Sequence, residues 1–199
     1  MNLALFARGV VLGFSIAAVV GPIGLLCIRR TLVTGFAIGF VSGLGAATAD
    51  AIYAAVASLG ISALAAELID QRVWLRLIGG AFLIYLGVRT LRSAPASRAA
   101  DLPTSGLRLA GAYSSTLALT LSNPMTIMSF VAIFAGIGAS GADLVAGVFG
   151  GSAAWWLVLA ALVSRLRTLA SQGWLRWVNI GSGLLITGFG VQSVVAGLS

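Results

Sequence analysis

The chain has 199 residues, of which 59% are hydrophobic and 9% are charged, and its mean hydropathy is +1.06. This balance excludes an ordinary soluble domain, in which about a quarter of the residues are charged. It predicts a chain made almost entirely of membrane spans, with no room for a soluble catalytic domain.

Six apolar runs are long enough to cross a bilayer, since a spanning helix needs about 20 mostly apolar residues. In chain order they cover residues 9–28, 36–59, 73–91, 109–137, 144–163 and 178–198. The first run begins after Arg8 like a signal peptide, but it stays apolar to Ile28 and is expected to be retained. We therefore predict an all-α polytopic membrane protein with six transmembrane helices.

The net charge of +7 is explained by topology and does not indicate a nucleic-acid partner. All twelve basic residues are arginines, and cytoplasmic loops attract basic residues. With both termini outside the cytoplasm, three arginines fall on the outer side and nine on the inner side. The outer arginines are Arg8, Arg72 and Arg76. The inner ones are predicted to lie in three cytoplasmic loops, with Arg29 and Arg30 in the first, Arg89, Arg92, Arg98 and Arg108 in the second, and Arg165, Arg167 and Arg176 in the third.

The second half of the chain loosely repeats the first. Trp74-Leu75-Arg76 opens the third run, and Trp174-Leu175-Arg176 precedes the sixth. Three spans per half is an odd number, so the second half must be inserted upside down relative to the first. We predict a single integral membrane domain of two inverted three-helix repeats, residues 1–92 and 109–199, joined by a cytoplasmic linker over 93–108.

Each half carries a proline well inside its first apolar run, within Val20-Gly21-Pro22-Ile23-Gly24 and Leu121-Ser122-Asn123-Pro124-Met125. Proline inside a helix costs about 3 kcal/mol, and paired interruptions in two halves point to a transporter's substrate site. The alternative is a pair of kinks that neighbouring side chains repair. The candidate substrate-binding residues are Gly21, Pro22, Gly24, Ser122, Asn123 and Pro124.

Asp50 is the only carboxylate deep within a predicted span. A charge at membrane depth costs about 2.5–3.5 kcal/mol and usually has a function, so Asp50 is the candidate coupling-ion residue. The alternative is a structural aspartate. Tyr53, Trp156 and Ser129 are weaker candidates for lining the pathway. Gly35, Gly39 and Gly43 recur every four residues, which predicts close helix packing.

Several functions are excluded by what the sequence lacks. The chain has no histidine and a single cysteine, Cys27, so zinc sites, histidine-based catalysis and an internal disulfide are not expected. Its serines have no histidine or lysine to activate them. We predict that the protein is not an enzyme and binds no cofactor or metal.

The motifs assembled above resemble the lysine-exporter family of amino-acid efflux carriers. The resemblance rests on Gly21-Pro22, on the segment from Leu25 to Leu32, on Ala49-Asp50-Ala51-Ile52-Tyr53, on Tyr85-Leu86-Gly87 and on Asn123-Pro124. It implies a small inner-membrane exporter of amino acids that is driven by the proton or membrane potential and forms oligomers. It also implies site roles for Pro22, Asp50, Asn123 and Pro124. Many relatives carry an amide where this chain has Ile23-Gly24, and a basic residue where it has Met125.

The leading hypothesis is secondary-active export of amino acids by proton antiport, with the substrate bound between the two broken helices. A passive channel for small polar solutes is the first alternative, since small glycine-rich bundles also conduct. A scaffold subunit is the second, although it would have no use for a buried aspartate. The expected partners are a small-molecule substrate and the lipid bilayer, with a homo-oligomer as a further possibility.

Overall fold

The computed structural model describes residues 2–19, 21–58, 71–92, 105–123, 126, 129–130, 141–167 and 172–198. In these segments the regular structure is entirely helical, which confirms the predicted all-α class for this part of the chain. The helices are α1 Leu3–Ala17, α2 Pro22–Thr34, α3 Phe36–Ser58, α4 Arg72–Arg92, α5 Gly106–Leu121, α6 Ala142–Arg167 and α7 Gln172–Leu198.

Four of the helices, α3, α4, α6 and α7, are long and apolar enough to cross a membrane by themselves. The pair α1 and α2 passes the same test when it is taken as one broken span, which gives five. The fourth predicted span, 109–137, is represented by α5 up to Leu121, and most of its remainder lies outside the described residues. The count of six spans therefore stays a prediction.

The first predicted span, 9–28, is two helices rather than one. Helix α1 ends at Ala17, α2 begins at Pro22, and the helix axes differ by 81°. Proline is well suited to the first position of a helix, because the N–H that it lacks would have no partner there. Helix α2 continues to Thr34, so Arg29 and Arg30 lie within a helix and not in the loop where the sequence placed them.

A single residue, Gly35, joins α2 to α3 with a positive φ of 101°, a backbone conformation that favours glycine. The predicted glycine series is therefore divided between two roles. Gly35 makes the turn, whereas Gly39 and Gly43 permit close packing. A Cβ atom at Gly39 would overlap Thr31 of α2, and one at Gly43 would overlap the side chain of Trp156.

Helices α3 and α6 pack against each other at the centre of the fold. Helix α1 packs along α6, α5 packs along α3, and α4 pairs with α7. Helix α2 lies in contact with α3, α6 and α7. The approach of α1 to α6 is close because both helices present glycines at intervals of four residues, and a Cβ atom on any of them would overlap the facing backbone. These glycines are Gly9, Gly13, Gly147 and Gly151.

Candidate functional site

Asp50 is buried on α3, where this helix packs against α6. Its side chain is 4% exposed, and its Oδ2 accepts a hydrogen bond of 2.7 Å from the Oγ of Ser152. Ser152 is fully buried. Within the described segments, no arginine is bonded to Asp50. A carboxylate offers about four acceptor positions, so one hydroxyl leaves Asp50 able to bind a proton or a cation.

The break between α1 and α2 lies at about the height of Asp50. Both distances are measured along the helices from the turn at Gly35. Along α2, Pro22 is about 18 Å from this turn, and along α3, Asp50 is about 21 Å from it. Ala17 and Cys27, from the two sides of the break, belong to one apolar cluster with Ala46 and Ala47 of α3 and Trp156 of α6. The break is thus packed against the two helices that hold Asp50 and Ser152.

Open space lies beside the beginning of α2. A Cβ atom added to Gly21 or Gly24 would meet no atom of the described residues within 4 Å, although both glycines are half-buried. Gly21, the N-cap residue of α2, offers no side chain to cap the helix. Its first N–H groups and the positive end of its dipole are therefore available to an anionic group. This arrangement can bind a carboxylate.

Trp156 adds a second hydrogen-bond donor near the break. Its side chain is 4% exposed, and its Nε1–H has no hydrogen-bond partner among the described residues. A buried donor without a partner costs about 1–3 kcal/mol. The N–H is therefore a position where an acceptor atom of a ligand would be stabilised. The sequence had suggested Trp156 only as a weak pathway residue.

The second predicted break coincides with the end of α5 at Leu121. The Oη of Tyr53 donates a hydrogen bond of 2.5 Å to the carbonyl oxygen of Leu121, a group that a continuing helix would have used. Ser122 follows as the helix cap, and Asn123 is half-buried. Pro124 lies outside the described residues, so its predicted role remains a prediction.

Tyr53 and Ser129 were predicted to line the pathway. Tyr53 is 5% exposed, and its ring lies against Phe130, with the ring centroids 5.9 Å apart. This packing gives Tyr53 a role in holding the end of α5. Ser129 is half-buried in the same region of the chain. Because Asp50 and Tyr53 are three residues apart on α3, this helix connects the two groups of candidate residues.

Ser152 is the site residue that the sequence analysis missed as a partner of Asp50. Serine is common in membrane spans, so it gave no signal of its own. The spacing of the prolines could have found it, because Pro22 and Pro124 are 102 residues apart, and so are Asp50 and Ser152. A repeat of this length would place Asp50 and Ser152 at equivalent positions in the two halves.

The chain is similar over most of its length to efflux proteins of other bacteria. It is 28% identical to YcgF of Bacillus subtilis, which carries the name of an amino acid efflux protein, over 93% of both chains. It is 25% identical to the threonine efflux protein of Escherichia coli K12, over 77% of this chain and 79% of the relative. The threonine efflux protein of Salmonella typhimurium is 26% identical over the same shares.

No solved structure matches the chain at a significant level. The family description that matches is that of the LysE type translocators, over residues 14–197. This range includes the break between α1 and α2, Asp50, Ser152 and the end of α5. The chain therefore belongs to the LysE type translocator family.

Proposed function

We propose that this protein exports amino acids from the cytoplasm across the bacterial inner membrane by proton antiport. The family to which it belongs consists of translocators, and its relatives carry the names of amino acid and threonine efflux proteins. One observation carries the proposal. Among the described residues, a buried carboxylate has one neutral hydrogen-bond partner, and it lies at about the height of a helix start that has no side-chain cap and no described atom within 4 Å of a Cβ added to its glycines.

The two ends of an amino acid match the two parts of this site. Its carboxylate is bound by the first N–H groups of α2 and by the Nε1–H of Trp156, because neither donor has a partner in the part of the chain that the structure describes. Its ammonium group is bound by Asp50. A proton that enters from the outer side competes for the same carboxylate, so protonation of Asp50 releases the substrate. Competition of this kind makes the site an exchanger of protons for amino acids.

The proposed mechanism also uses two inverted repeats, with Pro22, Asn123 and Pro124 at the broken helices. Under this relation, α1, α3 and α4 of the first half correspond to α5, α6 and α7 of the second. The contact of α1 with α6 then corresponds to the contact of α5 with α3. The pairs α3–α6 and α4–α7 correspond to themselves. The observed packing supports this relation. The hydrogen bond between Asp50 and Ser152 then lies close to the axis about which the halves rock.

The proposal is tested with the purified protein in lipid vesicles. The vesicles are preloaded with an equal mixture of the twenty protein amino acids, and an acidic outer buffer supplies the proton gradient. Mass spectrometry then follows the loss of each amino acid from the lumen. We expect selective loss of one or a few amino acids, accelerated by the gradient. Loss of none of them would contradict the proposed function.

Counterflow separates a carrier from the alternative of a passive channel. Vesicles are filled with the unlabelled substrate, and a trace of labelled substrate is added outside. A carrier transiently accumulates the label above its outer concentration, because each inward step is exchanged for an outward one. A channel only equilibrates the label. We expect transient accumulation.

A further inference from the structure

Arg30 lies on α2, eight residues beyond Pro22, and its guanidinium reaches two other helices. Its Nη1 donates to the Oγ of Ser42 on α3 at 2.8 Å and, on α5, to the carbonyl oxygen of Ala112 at 3.0 Å and the Oγ1 of Thr116 at 2.8 Å. Its Nη2 donates to the Oγ of Ser115 at 2.8 Å. All of these acceptors are neutral.

The hydroxyl groups around Arg30 offer it only lone pairs. Ser42 donates its own proton to the carbonyl oxygen of Ile38, and Thr116 and Ser115 donate theirs to that of Ala112. The hydrogen bonds are therefore satisfied, but the positive charge is not neutralised by any described carboxylate. A charge at this depth is costly without a counter-ion, and a carboxylate is the partner that guanidinium binds most strongly.

Further positive charge surrounds this position. Arg29 donates from its Nε to the Oδ1 of Asn179 on α7 at 3.2 Å. Arg89, near the end of α4, is exposed and lies within electrostatic range of both Arg29 and Arg30. Three like charges from two helices thus meet at one end of α2. An anion that approaches this end is attracted by all three.

Arg30 is close enough to the break between α1 and α2 for a substrate to pass from its guanidinium to the space beside Gly21 and Gly24. Eight helical residues span about 12 Å, so the guanidinium lies between the end of α2 and the space beside Gly21 and Gly24. We propose that Arg30, assisted by the exposed Arg89, forms a docking site for the carboxylate of the exported amino acid. The amino acid occupies this docking site before it moves on to the site between the start of α2 and Asp50. This inference rests on the proposed function.

The test uses inverted membrane vesicles, in which the cytoplasmic face is outward. It compares the wild type with Arg30→Gln, Arg30→Lys and, as a matched control, Arg92→Gln. The probes are the amino acid that the wild type transports from the panel of twenty and its carboxamide, in which the carboxylate is a neutral amide. The readouts are the KM of the amino acid and the inhibition constant of the carboxamide.

We expect Arg30→Gln to raise the KM of the amino acid about tenfold or more, while the inhibition constant of the carboxamide changes little, because only the amino acid loses a charge-assisted bond. Arg30→Lys keeps the charge but lacks the planar guanidinium group. Its KM for the amino acid should lie between those of the wild type and Arg30→Gln. Arg92→Gln should resemble the wild type, because Arg92 is exposed at the end of α4.

Two results would overturn the inference. The first is an unchanged KM for the amino acid in Arg30→Gln. The second is an equal rise for the amino acid and the carboxamide, which would mean that Arg30 only holds α2 to α3 and α5. Wild-type vesicles that transport none of the twenty amino acids would instead refute the proposed function, and this inference would fall with it.

Discussion

Asp50 combines burial at the centre of the molecule with a hydrogen bond from a single neutral group. Replacement by asparagine keeps an oxygen that can accept the bond from Ser152, so the packing of α3 on α6 is retained. It removes the charge and the ability to take up a proton. We expect Asp50→Asn to abolish gradient-driven export and to retain exchange of substrate only at a raised substrate concentration, because the ammonium group keeps a neutral oxygen as its partner but loses the carboxylate charge. Both rates can be measured in the reconstituted vesicles.

The matched control for this change is Asp143→Asn. Asp143 lies in the first turn of α6 and accepts a hydrogen bond of 2.6 Å from the backbone N–H of Asn2, at an exposed edge of the molecule. Its replacement should leave gradient-driven export intact. If Asp50→Asn exports as fast as the wild type under a proton gradient, Asp50 has no part in coupling.

Trp156 has two separable properties, a ring that packs against Gly43 and an N–H that is bonded to none of the described residues. Trp156→Phe keeps most of the ring and removes the donor. Loss of one hydrogen bond to the substrate should raise its KM about three- to tenfold, without a loss of stability. Kinetics in vesicles and thermal unfolding in detergent measure the two effects.

Trp155→Phe is the control for this position. The Trp155 ring packs edge to face with that of Phe14, with the ring centroids 5.3 Å apart, and its change should leave the KM unaltered. An equal KM for Trp156→Phe and the wild type would exclude the N–H as a substrate donor.

At the scale of helices, glycines that hold two elements together differ from glycines beside open space. A Cβ atom at Gly13 would overlap the backbone of Val148, so Gly13→Ala forces α1 away from α6. The expected cost is about 1–3 kcal/mol of stability. A Cβ atom at Gly24 meets no atom of the described residues within 4 Å, so Gly24→Ala should not lower the unfolding temperature, yet its methyl group occupies the space proposed for the substrate.

Thermal unfolding and export rates therefore separate the two variants. Gly13→Ala should unfold at a lower temperature, whereas Gly24→Ala should unfold like the wild type but export more slowly. If Gly24→Ala exported at the wild-type rate, the space beside α2 would not be the substrate site.

The break at Pro22 could be predicted from the sequence because proline acts on its own turn of the helix. The 81° between α1 and α2 could not, because it depends on where α1 finds the glycines of α6. The position of Arg30 within a helix could not be predicted either, because it also depends on tertiary packing. The sequence placed Arg30 in a loop, since only the contacts of α2 with α3 and α5 show that the helix extends beyond it.

Some residues of the candidate site could be predicted from the sequence, and others could not. Asp50 stood out because one carboxylate in an apolar run is a signal in itself. Ser152 did not stand out, because its importance arises from the register between two helices, which brings together residues 102 positions apart in the chain. That the N–H of Trp156 finds no acceptor within the described segments is likewise a property of packing, which a single sequence does not reveal.

For the molecule as a whole, the distribution of arginines predicts which side of the protein faces the cytoplasm, where the substrate to be exported is found. Nine of the twelve would be cytoplasmic if both termini lie outside, and the cluster of Arg29, Arg30 and Arg89 would then face the source of the substrate. An inverted molecule would present this cluster to the outer side, where a substrate to be exported does not arrive. The orientation therefore decides whether the arginines can assist export.

Cysteine labelling can determine this orientation. In a Cys27→Ala background, one cysteine replaces Ser105, which precedes α5, and another replaces Leu198, the exposed last residue of α7. Cys27 itself is buried and should be dispensable for insertion. A membrane-impermeant maleimide should label Leu198→Cys in spheroplasts and Ser105→Cys only in inverted vesicles, because basic residues near Ser105 favour the cytoplasmic side. The reverse pattern would place the arginine cluster outside and contradict its role in export.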